Sequence, residues 1–96
     1  MTNQKIILES LAMDLRRVAL GLHRGSYTMA KRFKDEVEKR EKELQGHQLN
    51  SYLKKLIKKT KESLHEKNDR IAEDLLMYSI LLQNYTRKHL GIDEQK

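Results

Sequence analysis

Residues 71–85 read IAEDLLMYSILLQNY. Within them Ile71, Leu75, Tyr78, Leu82 and Tyr85 recur at intervals of 4, 3, 4 and 3. That spacing lines the five up on one stripe of an α-helix, and the alternation of 3 and 4 is the pattern of helices packed side by side in bundles. Residues 6–22, IILESLAMDLRRVALGL, repeat it with Leu8, Leu11, Leu15, Val18 and Leu22. Two thinner stripes lie between: Ala30, Phe33, Val37 and Leu44, then Leu49, Leu53, Leu56 or Ile57, and Leu64. No stretch alternates apolar and polar residues as a half-buried strand would.

The punctuation divides the 96 residues into four helices of one domain, over about 3–23, 27–44, 49–66 and 70–89. Gly25-Ser26 offers a stop followed by an N-cap, Gly46-His47 a second break, Asn68-Asp69 a cap, and Gly91 a final stop. Residues 92–96 read as a frayed tail. The expected fold is all-α, a short up-down four-helix bundle. One alternative stays open. Between His47 and Gly91 there is no Gly and no Pro, and a stripe of Leu53, Ile57, Thr60, Leu64, Lys67, Ile71 and Leu75 runs straight through Asn68-Asp69. That reading gives a hairpin of two long helices, turning at Gly46-His47 and dimerising into a four-helix core.

Composition narrows the chemistry. The chain has no Pro, Cys or Trp, which excludes a disulfide scaffold, thiolate zinc ligands and a thiol nucleophile. Leu, Ile, Val and Phe make up a quarter of it, enough for a core. No apolar run nears the ~18 residues of a membrane span. MTNQKIILES lacks a basic leader and a small-residue cleavage site, so a cytoplasmic protein without a membrane partner is expected.

The charge is uneven. Residues 31–43, KRFKDEVEKREKE, are charged at every position but Phe33 and Val37. Opposite charges recur there at i,i+4, from Lys31/Asp35 through Glu36/Arg40 to Lys39/Glu43, and each such pair stabilises a helix by ~0.2–0.5 kcal/mol. This reads as a solvent-facing helix that supports itself. The first and last helices are the opposite case. Beyond their main stripes they carry Ile6, Met13 and Leu20, with Ala12 and Ala19 beside that face, and Leu76, Met77, Ile80 and Leu81. A helix that is apolar nearly all round is covered nearly all round, and the two central helices are too polar to do it. The expected partner is a second copy in a homodimer, or another protein.

Lys54, Lys55, Lys58, Lys59 and Lys61 form a basic cluster, with no acid from Gly46 to Lys61. It could neutralise phosphates, with Tyr52 one turn away to stack on a base. Nucleic-acid binding is the second functional reading.

Three weaker patterns complete the survey. Glu62 and His65 form one E-x-x-H, where a ferritin-like metal site needs two plus further inward carboxylates, so no metal site is assigned. Arg17 with His23, Arg16 with His23 and Arg40 with His47 match a spacing that resembles the motif of HEPN-type ribonucleases. In that motif a histidine and an arginine could act as base and phosphate electrophile. Seven Arg and four His generate roughly one such match by chance, and Val18 stands where the motif usually has a polar residue. His23, His47, His65 and His89 all fall near expected helix ends, where cations complement the helix dipole. No catalytic residue and no cofactor are assigned, and a non-enzymatic interaction or self-assembly module is the leading reading.

Overall fold

The computed structural model describes residues 3–65 and 70–89. Four helices follow in order: α1 Gln4–Arg24, α2 Tyr27–Leu44, α3 Ser51–Leu64 and α4 Ile71–His89. There is no strand among the described residues. The fold is the expected all-α four-helix bundle. Asn68-Asp69, Gly91 and the tail 92–96 lie outside the described residues.

The helix ends follow from local chemistry. Asn3 Oδ1 accepts the Ile6 N–H at 2.9 Å, and Asn50 Oδ1 accepts the Leu53 N–H at 2.8 Å. Each asparagine satisfies an N–H that has no partner within the first turn. Gly25 ends α1 in the left-handed conformation, φ 76°, and this lets the Ser26 N–H donate back to the Gly21 carbonyl at 2.8 Å. Ser26 occupies the N-cap position of α2, but its side chain makes no capping bond. Its carbonyl instead accepts the Ala30 N–H.

The two-helix hairpin is ruled out. The rings of Tyr52 on α3 and Tyr85 on α4 stack with centroids 5.9 Å apart. In one continuous helix, residues so far apart in sequence would stand ~50 Å apart along the axis. α3 and α4 are therefore separate antiparallel helices that pack on each other.

α1 is the hub. It packs along both α2 and α4, which explains its breadth of apolar surface. Ile7, Leu8, Leu11, Ala12, Leu15, Val18 and Ala19 are all buried. Ala12 and Ala19 belong to this intramolecular core and not to an outer face. Opposite α1 the core takes Val37 and Leu44 from α2, Leu53, Leu56 and Leu64 from α3, and Leu75 and Leu82 from α4.

Gly21 shows how close α1 and α2 come. It lies inside α1, and a Cβ added there would stand 2.9 Å from the Ala30 nitrogen and 3.2 Å from the Ser26 carbonyl oxygen. Both are backbone atoms, so α2 would have to move. Gly21→Ala gains up to ~1 kcal/mol of helix propensity, while overpacking of this kind costs ~1–3 kcal/mol. We expect a net loss of about 1 kcal/mol, read as a lower urea midpoint. An unchanged or higher midpoint would mean that the turn between α1 and α2 yields freely.

Candidate functional site

Once the core is complete, apolar surface remains outside. Ile6 and Met13 on α1, and Leu76, Met77 and Ile80 on α4, are 39–50% exposed. Leu20 is half-buried. Leu81 is half-buried as well, but it packs against the core and lines a cleft on the α3 side. It therefore turns toward α3, one turn along α4 from Met77 and away from the α1 side.

α1 and α4 run antiparallel. The Gln4 side chain donates to the Gln48 carbonyl before α3, and Tyr85 near the end of α4 meets Asn50 two residues further on. The start of α1 and the end of α4 therefore share one end of the bundle. Glu9 and Met13 line one groove with Gln83, Thr86 and Arg87. From this register, two turns along α1 and back along α4 set Leu20 beside Leu76, with Arg16 beside Ile80. Met13, Leu20, Leu76, Met77 and Ile80 thus form one outer face, with Ile6 two turns beyond Met13. Glu9, Arg16 and Arg87 supply charges of both signs at its margin.

The lysine cluster does not form a single face. Lys54, Lys58 and Lys61 line a pocket against α2, together with Glu41, Leu44 and Ile57. Lys55 and Lys59 share the side of α3 that carries Tyr52, by their spacing of three and four. On that side Tyr52 stacks on Tyr85, and the Tyr85 ring lies 4.6 Å from that of His89. Asn50 fixes Tyr85. Its Oδ1 is committed to capping α3, so its Nδ2 is the atom that donates to the Tyr85 hydroxyl, at 2.8 Å. Tyr85 and His89 escape a reading of the α3 sequence alone, because α4 supplies both.

Two carboxylates are buried. Glu41 is only 5% exposed, which corrects the expectation that the whole 31–43 run faces water. Burial pushes its pKa up to about 7, against the weaker opposing effects of Thr60 and Lys61. Thr60 Oγ1 donates to the Ile57 carbonyl at 2.7 Å and lies 3.2 Å from Glu41 Oε2. The single hydroxyl proton is shared between the Ile57 carbonyl and Glu41 Oε2, and its pull toward the carboxylate favours the ionised form against the effect of burial. The sequence did hold a signal: position 41 fills the seven-residue gap in the stripe between Val37 and Leu44.

Asp14 is the second. Desolvation raises its pKa, opposed by Arg17 and Arg40. Arg17 Nη1 donates to it at 3.4 Å, and Arg40 Nε stands 4.0 Å away, buried and without a hydrogen-bond partner. Arg40 also pairs with Glu36 at 3.8 Å and Glu43 at 3.1 Å. The network ties α1 to α2. Of the expected i,i+4 pairs, Glu36–Arg40 and Lys31–Asp35, at 3.9 Å, are within ion-pair range.

The remaining motif residues are dispersed. Arg17 lies over the Phe33 ring, 5.3 Å from its centroid, whereas His23 is exposed in the last turn of α1. Glu62 and His65 are both exposed, and His65 faces Glu38 at 4.0 Å. Among the described residues no group of three or more His, Asp or Glu is placed to hold a metal ion, and no helix is long and apolar enough to cross a membrane. No protein-family model, curated protein or solved structure matches the chain.

Proposed function

We propose that the protein is a non-enzymatic self-association module whose outer α1–α4 face docks on the same face of a second copy. The observation that supports this is the set of five large apolar side chains left 39–50% exposed outside a filled core. Together they expose on the order of 400 Å², in the range where apolar patches on soluble monomers mark contact sites. Two copies bury about twice that, roughly half of a standard interface of ~1,600 Å². Leu20, Gln83 and the charged margin complete the area.

A second copy is the occupant that fits. A two-fold axis lets one patch serve both subunits. Glu9 on one subunit can then face Arg16 or Arg87 on the other, because the margin carries both signs. Such rim pairs steer association and fix register more than they add affinity.

Light scattering behind size exclusion tests this directly. The expected mass is twice 11.4 kDa at micromolar concentration and moderate salt. A stable 11.4 kDa species at the highest soluble concentration would overturn self-association and leave the face to a different protein.

A further inference from the structure

The cleft between α3 and α4 adjoins the apolar outer face only along the Met77 stripe, and its chemistry is different. Its volume is about 480 Å³. Half-buried Tyr85 and Leu81 line it with exposed Tyr52, His89, Asn50, Asn84 and Lys88. Tyr52 is half-exposed and Tyr85 backs only one face of its ring. That exposure leaves part of the ring accessible to a planar ligand.

Among the described residues that line the cleft, charge has one sign. No acid occurs from Gln45 to Lys61 or from Leu75 to His89, the two segments that build it. The same segments contribute Lys55 and Lys59 beside Tyr52, and Lys88 in the last turn of α4. A planar group stacked on Tyr52 would lie among cations with no carboxylate in the lining. A nucleobase on a phosphate backbone satisfies both requirements, since every base offers a flat face and every linkage a negative charge. The exposed Asn84 side-chain amide adds donors and an acceptor for base edges. A duplex keeps its bases stacked inside and presents no face to Tyr52, so the strand must be single.

We propose that the α3–α4 cleft binds single-stranded nucleic acid, stacking a base on Tyr52 and holding adjacent phosphates with Lys55, Lys59 and Lys88. This reading does not depend on self-association, because Tyr52 and Lys55 lie on α3, outside the α1–α4 face.

The test is fluorescence anisotropy with a labelled single-stranded 12-mer, the matching duplex, and a mononucleotide as competitor. The wild type should bind the single strand at low salt and prefer it to the duplex. Tyr52→Ala should weaken binding about 5- to 150-fold, the range for losing one stacked base, and Tyr52→Phe should restore it. Lys55→Gln with Lys59→Gln should flatten the salt dependence by about 1.4 in log–log slope, two phosphate contacts' worth for a single strand. Lys39→Gln on α2 should change neither. Circular dichroism confirms that each variant is folded. Three results would overturn the proposal: no single-strand binding at low salt, equal duplex binding insensitive to Tyr52→Ala, or a mononucleotide that competes as tightly as the 12-mer.

Discussion

Ile80→Glu is expected to yield a folded monomer. Ile80 is 47% exposed on the outer face of α4, so in the isolated chain a glutamate there can reach water. Surface changes of that kind usually alter stability by less than ~0.5 kcal/mol. In the dimer the same position is covered, and the two-fold axis brings in two carboxylates. An uncompensated charge at a buried site costs ~3–5 kcal/mol. Even one such penalty raises the dissociation constant by at least about a hundredfold. Sedimentation should therefore show a monomer whose circular dichroism matches the wild type. Lys39→Glu, on the exposed side of α2, should leave the mass at that of the dimer. Leu81→Glu should behave differently from Ile80→Glu and unfold the chain, because Leu81 packs against the core. If Ile80→Glu stays dimeric, the interface lies elsewhere on the molecule.

Glu41→Gln should stabilise the protein, and only above mildly acidic pH. The Glu41 pKa rises from 4.5 in the unfolded chain to about 7 in the fold. Below about pH 4.5 both states hold the proton and the fold bears no charge penalty at this site. As pH climbs from there to about 7 the unfolded chain releases the proton first, and stability falls. Above 7 the folded carboxylate is ionised too, and the full penalty persists. Glutamine keeps the shape, has no charge at any pH, and can donate from its amide to Thr60. The gap between variant and wild type should therefore be small at pH 5 and approach about 3 kcal/mol at pH 8. Urea unfolding of both proteins at the two pH values measures it. A gap that does not widen between them would mean that Glu41 reaches water in solution.

Both results bear on how far the chain could be read before its fold was known. The α1 and α4 stripes were plain because each of those helices meets its neighbours along its whole length. A 3-and-4 spacing reports that kind of packing directly. The α2 stripe was harder to read. Glu41 interrupts it with a charge, and charged residues in a charged run read as solvated. Its 5% exposure and the neighbouring Thr60 hydroxyl on α3, 3.2 Å away, show the glutamate to be part of the interior. Periodicity alone overstates the outer apolar face of α1 for a related reason. Periodicity counts how much of a helix is apolar but not how many helices surround it. α1 has two close neighbours, so Ala12 and Ala19 were needed inside the chain.

Residue order alone settles that the chain is helical, where Gly25 stops α1, and that apolar side chains outnumber the places one bundle can bury. These are local or near-local properties, set by backbone preference and by repeats within a few turns. The tertiary structure decided what depends on residues far apart in the chain. It chose the bundle over the long hairpin by stacking Tyr52 on Tyr85. It divided the lysines between two sides of α3, one against Glu41 and one beside the aromatic cleft. It also turned Leu81 inward while leaving Ile80 out. Adjacent residues on a helix point about 100° apart, and which of them is covered depends on where the next helix lies.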